Sequence, residues 1–151
     1  MASNLASDPT ITVRPATEHD FRAIGRIQQA APEAAQWPLG DYSGTPVLIA
    51  FVGAIPAGFC AWRQTAPDEA ELLNLAVDST HRRRGVASAL LTALCQTAAG
   101  TLFLEVAEHN SAAIALYLAH GWERVALRKG YYDQGKINAI VMKKTSCYSA
   151  G

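Results

Sequence analysis

The chain has 151 residues, half of them hydrophobic and 17% charged, with 13 basic side chains balancing 13 acidic ones. That length suits one domain able to bury about two-thirds of its unfolded surface, and the composition excludes a disordered or fibrous protein. A formal net charge of zero argues against a broad nucleic-acid footprint, and no apolar run reaches the ~20 residues a membrane span needs.

Residues 1–10 lack the basic-then-apolar layout of a signal peptide and read as a polar tail. Ile11-Thr-Val13-Arg-Pro15 alternates and stops at proline, which predicts a short first strand. Thr17 precedes Glu18 and Asp20 as an N-cap with acids in the first turn, and Phe21, Ile24, Ile27 and Gln28 follow at helical spacing. The spacing predicts a helix from Glu18 to Ala31. Pro32 to Gly44 is rich in Pro, Gly and Ala and reads as a loop or broken helix. It carries Trp37 and Tyr42, each either a buried anchor or a ligand-facing wall. Val47–Val52 and Ala57–Trp62 are apolar runs joined by Gly53-Ala-Ile-Pro56, a hairpin. Ala70–Val77 is apolar on both alternations except at Asn74, so a central strand covered on both faces is expected.

A basic loop, Arg82-Arg83-Arg84-Gly85-Val86-Ala87, then leads into a helix from Val86 to Ala98, which Gly100 ends. Thr101–Val106 is a strand broken chemically by Glu105. Asn110 or Ser111 caps a helix to His120, with Gly121 as its C-terminal cap. Trp122–Leu127 and Ile137–Met142 are two last strands around a polar loop, Gly130 to Lys136, and 145–151 is a second tail. Crossover helices demand parallel pairing and hairpins demand antiparallel pairing. The expected fold is therefore α/β, one domain over 11–144, with a mixed sheet of about seven strands and about four helices on both faces. Cys60 and Cys95 lie in apolar segments and read as core residues with reduced thiols, which suits a cytoplasmic setting. Cys147 makes the number odd.

Three features carry chemistry. A strand that turns through a glycine-containing basic loop into a helix N-terminus offers backbone N–H groups, a dipole and arginines to an anion. A solvated basic surface is the other reading. Glu105 in an apolar strand is a general-base candidate, or a strand-end carboxylate facing water. Asn110 and Tyr117 stand close to two turns apart on the next helix. The Tyr117 hydroxyl, with a reference pKa near 10, could protonate a leaving thiolate of pKa ~8.5, or it could be a core residue.

Leu73-Asn74-Leu75-Ala76-Val77, Arg82-x-x-Gly85-x-Ala87, Leu104-Glu105-Val106, Asn110 and Ala115-Leu116-Tyr117 through Gly121-Trp122 together resemble the GNAT N-acetyltransferase signature. With Arg128-Lys129-Gly130-Tyr131-Tyr132 added, the chain is similar to the ribosomal-protein-alanine (RimI-type) branch of that family. The resemblance covers roughly Ala70 to Lys143. It implies a sheet whose central parallel strands splay apart, acetyl-CoA as co-substrate, no metal, and direct attack of an amine on the thioester. By the same resemblance Glu105 is the general base, through water, and Tyr117 the general acid toward the CoA thiolate. The backbone of Leu75, Ala76 and Val77 meets the pantetheine arm, Arg82, Arg83, Arg84, Gly85, Val86 and Ala87 hold the pyrophosphate, and Asn110 touches the CoA arm. Tyr131 and Tyr132 border the acceptor peptide, and Trp37 is carried with them as a candidate substrate contact.

The implied partner is a protein N-terminus, of the ribosomal-protein kind, acted on in the cytoplasm by a monomer or weak dimer, with no nucleic acid and no membrane. Two stretches depart from the branch's pattern, both on the acceptor side. Lys136 or Asn138 stands where an acidic residue is usual, and Pro32–Gly44 is unlike the usual acceptor loop. A GNAT enzyme acting on a small amine or a lysine side chain stands beside this reading, as does a non-catalytic CoA-binding module. A nucleotide P-loop is disfavoured, because no Gly-Lys-Ser/Thr follows the arginine loop.

Overall fold

Alternating apolar positions and glycine-marked turns produce ten regular elements in a computed structural model that describes residues 10–145. The strands are β1 (Ile11–Pro15), β2 (Val47–Val52), β3 (Ile55–Ala66), β4 (Glu69–Val77), β5 (Thr101–Ala107), β6 (Glu123–Tyr132) and β7 (Ile137–Thr145). The helices are α1 (Phe21–Gln29), α2 (Val86–Thr97) and α3 (Ser111–Ala119). The expected tails, and with them Cys147, fall outside the described residues apart from Thr10 and Thr145.

The strands form one mixed sheet in the order β1-β2-β3-β4-β5-β7-β6. β1–β2, β2–β3, β5–β7 and β6–β7 pair antiparallel, and β4–β5 pair parallel. The parallel ladder is short: it runs from Glu69↔Thr101 to Glu71↔Phe103. β5 nevertheless continues to Ala107, paired on its other edge with β7 over its whole length. Beyond Glu71 and Phe103 no further parallel pair forms among the described residues.

Among the described residues three α-helices stand where about four were expected. The Pro32–Gly44 stretch, with its prolines and glycines, forms only a 3-10 turn at Leu39–Tyr42. β4 is also less covered than expected. Ala70, Leu72, Asn74 and Ala76 are buried, whereas Glu71, Leu73, Leu75 and Val77 are half-exposed, so its apolar run conceals a plain alternation. β6 runs on through Tyr131 and Tyr132, so the polar loop shrinks to 133–136. There Gln134 and Gly135 take left-handed φ values of 55° and 88°.

The chain divides into two compact units, residues 10–61 with 74–93, and 62–73 with 94–145. In the first, Ile24 and Ile27 of α1, Ile49 of β2, Phe59 of β3 and Leu90 of α2 are fully buried. Gly58 sets how closely α2 approaches the sheet: a Cβ there would stand 2.8 Å from Val86 Cγ1 and 3.2 Å from Leu90 Cδ1. In the second unit Leu94, Leu102, Leu104, Met142 and Trp122 make the core. The cation of Lys144 caps the end of α3, donating to His120 O at 2.6 Å. Cys60 is a free, buried thiol pushed up to about 12 by desolvation, as a core cysteine should be. Cys95 departs from the expected reduced thiol: it is buried but disulfide-bonded.

Candidate active site

In the first unit β4 ends at Val77 and the chain turns sharply. Asp78 accepts a hydrogen bond from Thr80 N at 3.0 Å, and that bond, with a second from the Thr80 hydroxyl, holds its carboxyl below the usual range. A 3-10 turn, Ser79–His81, delivers the chain to the arginine loop. Arg83 has φ 63° and Gly85 has φ 85°. A left-handed non-glycine residue is uncommon, and such backbone concentrates at ligand sites. A Cβ on Gly85 would meet nothing closer than Ile11 Cδ1 at 3.8 Å, so open space lies over the backbone here. Val86 is buried and starts the 12-residue α2, while Arg82, Arg83, Arg84 and Gly85 are exposed.

Open space over a glycine, a helix start and three exposed guanidinium groups fit a polyanion such as a pyrophosphate. Arg82 is ion-paired with Glu33 of the Pro32–Gly44 segment. Arg83 and Arg84 carry no ion pair among the described residues. Leu75 and Val77 are half-exposed and Ala76 is buried, a strand edge able to offer backbone groups to an extended chain.

Trp37 and Tyr42 separate in role. Tyr42 is 1% exposed, stacked against Trp37 with centroids 5.0 Å apart, and edge-on to Phe59 at 5.5 Å. Its hydroxyl donates to Gln28 Oε1 and accepts from Asn74 Nδ2 at 3.0 Å. Asn74 also exchanges two hydrogen bonds with the Ala35 backbone, and Gln28 Nε2 donates to Trp37 O at 2.8 Å. Tyr42 is thus the anchor, and Trp37 remains half-exposed at the segment's surface. This buried polar cluster was not legible in advance. Asn74 marked the spot by interrupting an apolar strand, but nothing in the sequence named its partners.

In the second unit Glu105 lies on the half-exposed face of β5 with its side chain 22% exposed. Arg128 Nη1 donates to its Oε1 at 2.8 Å. Its Oε2 is buried and has no hydrogen-bond partner among the described residues. Arg128 also covers the Tyr131 ring, 4.2 Å from the centroid, so one guanidinium joins Glu105 to Tyr131. Tyr131 is 45% exposed. Tyr132 closes β6, its backbone paired with Ile137, and its side chain lies outside the described residues. Asn110 is the N-cap of α3, its Oδ1 accepting from Ala113 N at 3.2 Å. Tyr117 is 7% exposed and packs against Trp122 with centroids 5.7 Å apart. Among the described residues no cluster of three or more His, Cys, Asp or Glu is placed to hold a metal, and no helix is long and apolar enough to cross a membrane.

The model of the acetyltransferase (GNAT) family matches residues 7–122. A [ribosomal protein bS18]-alanine N-acetyltransferase of Haemophilus ducreyi is 34% identical over 145 residues, 83% of this chain and 93% of its own. The N-alpha-acetyltransferase RimI of Mycobacterium tuberculosis is 37% identical over 91 residues, 60% of this chain and 58% of its own. The crystal structure of the ribosomal-protein-S18-alanine N-acetyltransferase from Escherichia coli superposes with a TM-score of 0.81 at 31% identity, covering 94% of this chain and 97% of that one. These likenesses agree: the chain belongs to the acetyltransferase (GNAT) family and is an acetyl-CoA-dependent N-acetyltransferase.

Proposed function

We propose that this enzyme acetylates the N-terminal amine of a protein, of the ribosomal-protein-alanine kind, with Glu105 as general base and Tyr117 as general acid. The observation that carries the reading is the state of the Glu105 carboxylate. One oxygen is held at 2.8 Å by Arg128, and the other is buried and uncommitted. A carboxylate oxygen that lacks a partner has a lone pair left to accept a proton relayed by a water molecule.

Acetyl-CoA supplies the activated acyl group, a thioester. Arg82 to Ala87 bind its pyrophosphate, the backbone of Leu75 to Val77 aligns its pantetheine arm, and Asn110 lies against that arm. Glu105 takes the proton of the attacking amine through water. Tyr117 gives its hydroxyl proton to the departing sulfur; with reference pKa values of ~10 and ~8.5 that transfer is about 2 kcal/mol uphill, a small cost for a general acid. Tyr131, Tyr132 and Trp37 border the acceptor.

The single carboxylate favours one class of amine. Deprotonating an α-amino group of pKa ~8 at pH 7 costs about 1.4 kcal/mol, whereas a lysine at ~10.4 costs more than about 4. The relatives' activity toward an N-terminal alanine supports the same choice. The enzyme is read as cytoplasmic and as a monomer or weak dimer. An alanine-starting basic peptide, its Nα-blocked form, free lysine and a polyamine, each offered with acetyl-CoA, test the reading. Turnover of the free peptide alone is expected. Faster turnover of lysine or the polyamine would move the enzyme to the small-amine or lysine class.

A further inference from the structure

Arg128 reaches Glu105 by strand register. Ala107 of β5 pairs with Ala139 of β7, and Ala139 pairs with Arg128 of β6. Directly opposed residues of antiparallel strands share a face, and Glu105, two residues before Ala107, shares it too. The β7 residue opposite Arg128 is the small Ala139 and the one opposite Glu105 is Val141, so the long arginine crosses β7 on the diagonal. Its Nη1 closes on Oε1 at 2.8 Å while the guanidinium lies over the Tyr131 ring at 4.2 Å. A planar guanidinium seated on an aromatic face loses much of its freedom and points its fork in one direction.

The pairing is one-sided. A guanidinium can grip both oxygens of a carboxylate, and a purely structural pair gains most by doing so. Here one oxygen is gripped and the other, buried, is left with no partner among the described residues. An unsatisfied buried acceptor is costly and calls for a reason.

We propose that Arg128 is the positioning residue of the general base. It fixes Oε1 so that Oε2 is the oxygen that receives the amine's proton, and Tyr131 holds Arg128 in place. This rests on the reading of Glu105 as base. The nitrogen lone pair forms the N–C bond to the acetyl carbon, the C–S bond breaks, and the sulfur takes a proton from Tyr117. The amine proton goes to Oε2 through water, and Arg128 stays charged throughout.

Steady-state kinetics of Arg128→Gln, Arg128→Lys, Glu105→Gln and the double Glu105→Gln/Arg128→Gln variant test this. Arg128 is 57% exposed, so its variants should fold, and thermal denaturation checks that they do. Arg128→Gln should lower kcat about 10- to 100-fold with the KM for acetyl-CoA unchanged. Arg128→Lys, a charge without the fork, should recover part of the loss. In the Glu105→Gln background, losing Arg128 should cost nothing further. Additive losses in the double variant, or an Arg128→Gln effect confined to the acceptor's KM, would overturn the positioning role while leaving the base standing. Near-normal turnover by Glu105→Gln would remove the base reading itself, and the positioning role with it.

Discussion

Two polar clusters, one in each unit, make opposite use of the same chemistry. Around Asn74, every amide and hydroxyl is paired: Tyr42 with Gln28 and Asn74, Asn74 with both backbone groups of Ala35, Gln28 with Trp37. Around Glu105, a carboxylate is held by one oxygen and left open at the other. A satisfied buried network specifies one arrangement of its backbone. The Asn74 cluster does this for the Pro32–Gly44 segment, which has only a single 3-10 turn of its own and is tied down by side chains as well. An unsatisfied one stores a demand that only a ligand, water or proton can meet. The difference separates architecture from chemistry: Asn74 should matter to stability and Glu105 to rate.

The widest separation should come from Glu105→Gln. With Glu105 as the proposed base, it removes the proton acceptor while keeping shape, so kcat should fall about 10²- to 10⁴-fold. Its melting temperature should stay close to that of the parent, because a half-exposed ion pair contributes about 1 kcal/mol or less. Calorimetry alongside initial rates reads both. A large loss of stability with modest loss of rate would place Glu105 with the architecture.

Asn74→Ala is the converse. It strips one of the two hydrogen-bond partners of the Tyr42 hydroxyl and both side-chain bonds to Ala35, at a cost of about 1–3 kcal/mol. At roughly 2–4 °C per kcal/mol for a chain of this size, the shift in melting temperature is easily measured. The rate per folded molecule should change far less than in Glu105→Gln. A variant as stable as the parent would mean that the segment is ordered by something other than this cluster.

The sequence made much of this visible, and unevenly so. Strand and helix positions followed from period and caps, because these are local: Thr17 N donates to Asp20 Oδ2 at 2.8 Å, and Asn110 caps α3 within three residues. The arginine loop was legible because Gly85 and the start of α2 are adjacent in the chain. Glu105 stood out as the charge in an apolar strand. Its partner did not, since Arg128 meets it only through a register across β7, 23 residues away in sequence. The Gln28–Tyr42–Asn74 cluster was hidden for the same reason: it joins residues up to 39 positions apart once Ala35 is included. The disulfide at Cys95 also escaped, because an apolar helix position reads as core whether or not its sulfur is bonded.

The smallest expected effect tests whether the first cluster depends on the Tyr42 proton. The hydroxyl must stay protonated to donate to Gln28. Desolvation, the largest influence, pushes its pKa up, Asn74 lowers it, and the nearby Asp41 charge raises it again; the net direction is upward. A folded-state value above the unfolded one means that the fold favours the neutral phenol. That contribution is complete below the unfolded pKa of about 10 and is lost as the pH rises through the folded value. Melting temperatures should therefore fall above pH about 10 by more than other groups explain. Tyr42→Phe, less stable at neutral pH because Gln28 Oε1 loses its donor, should lack that extra fall. If both proteins lose stability in parallel across the alkaline range, the Tyr42 proton is not what holds Gln28. The Pro32–Gly44 segment would then rest on Asn74, Ala35 and Trp37 alone.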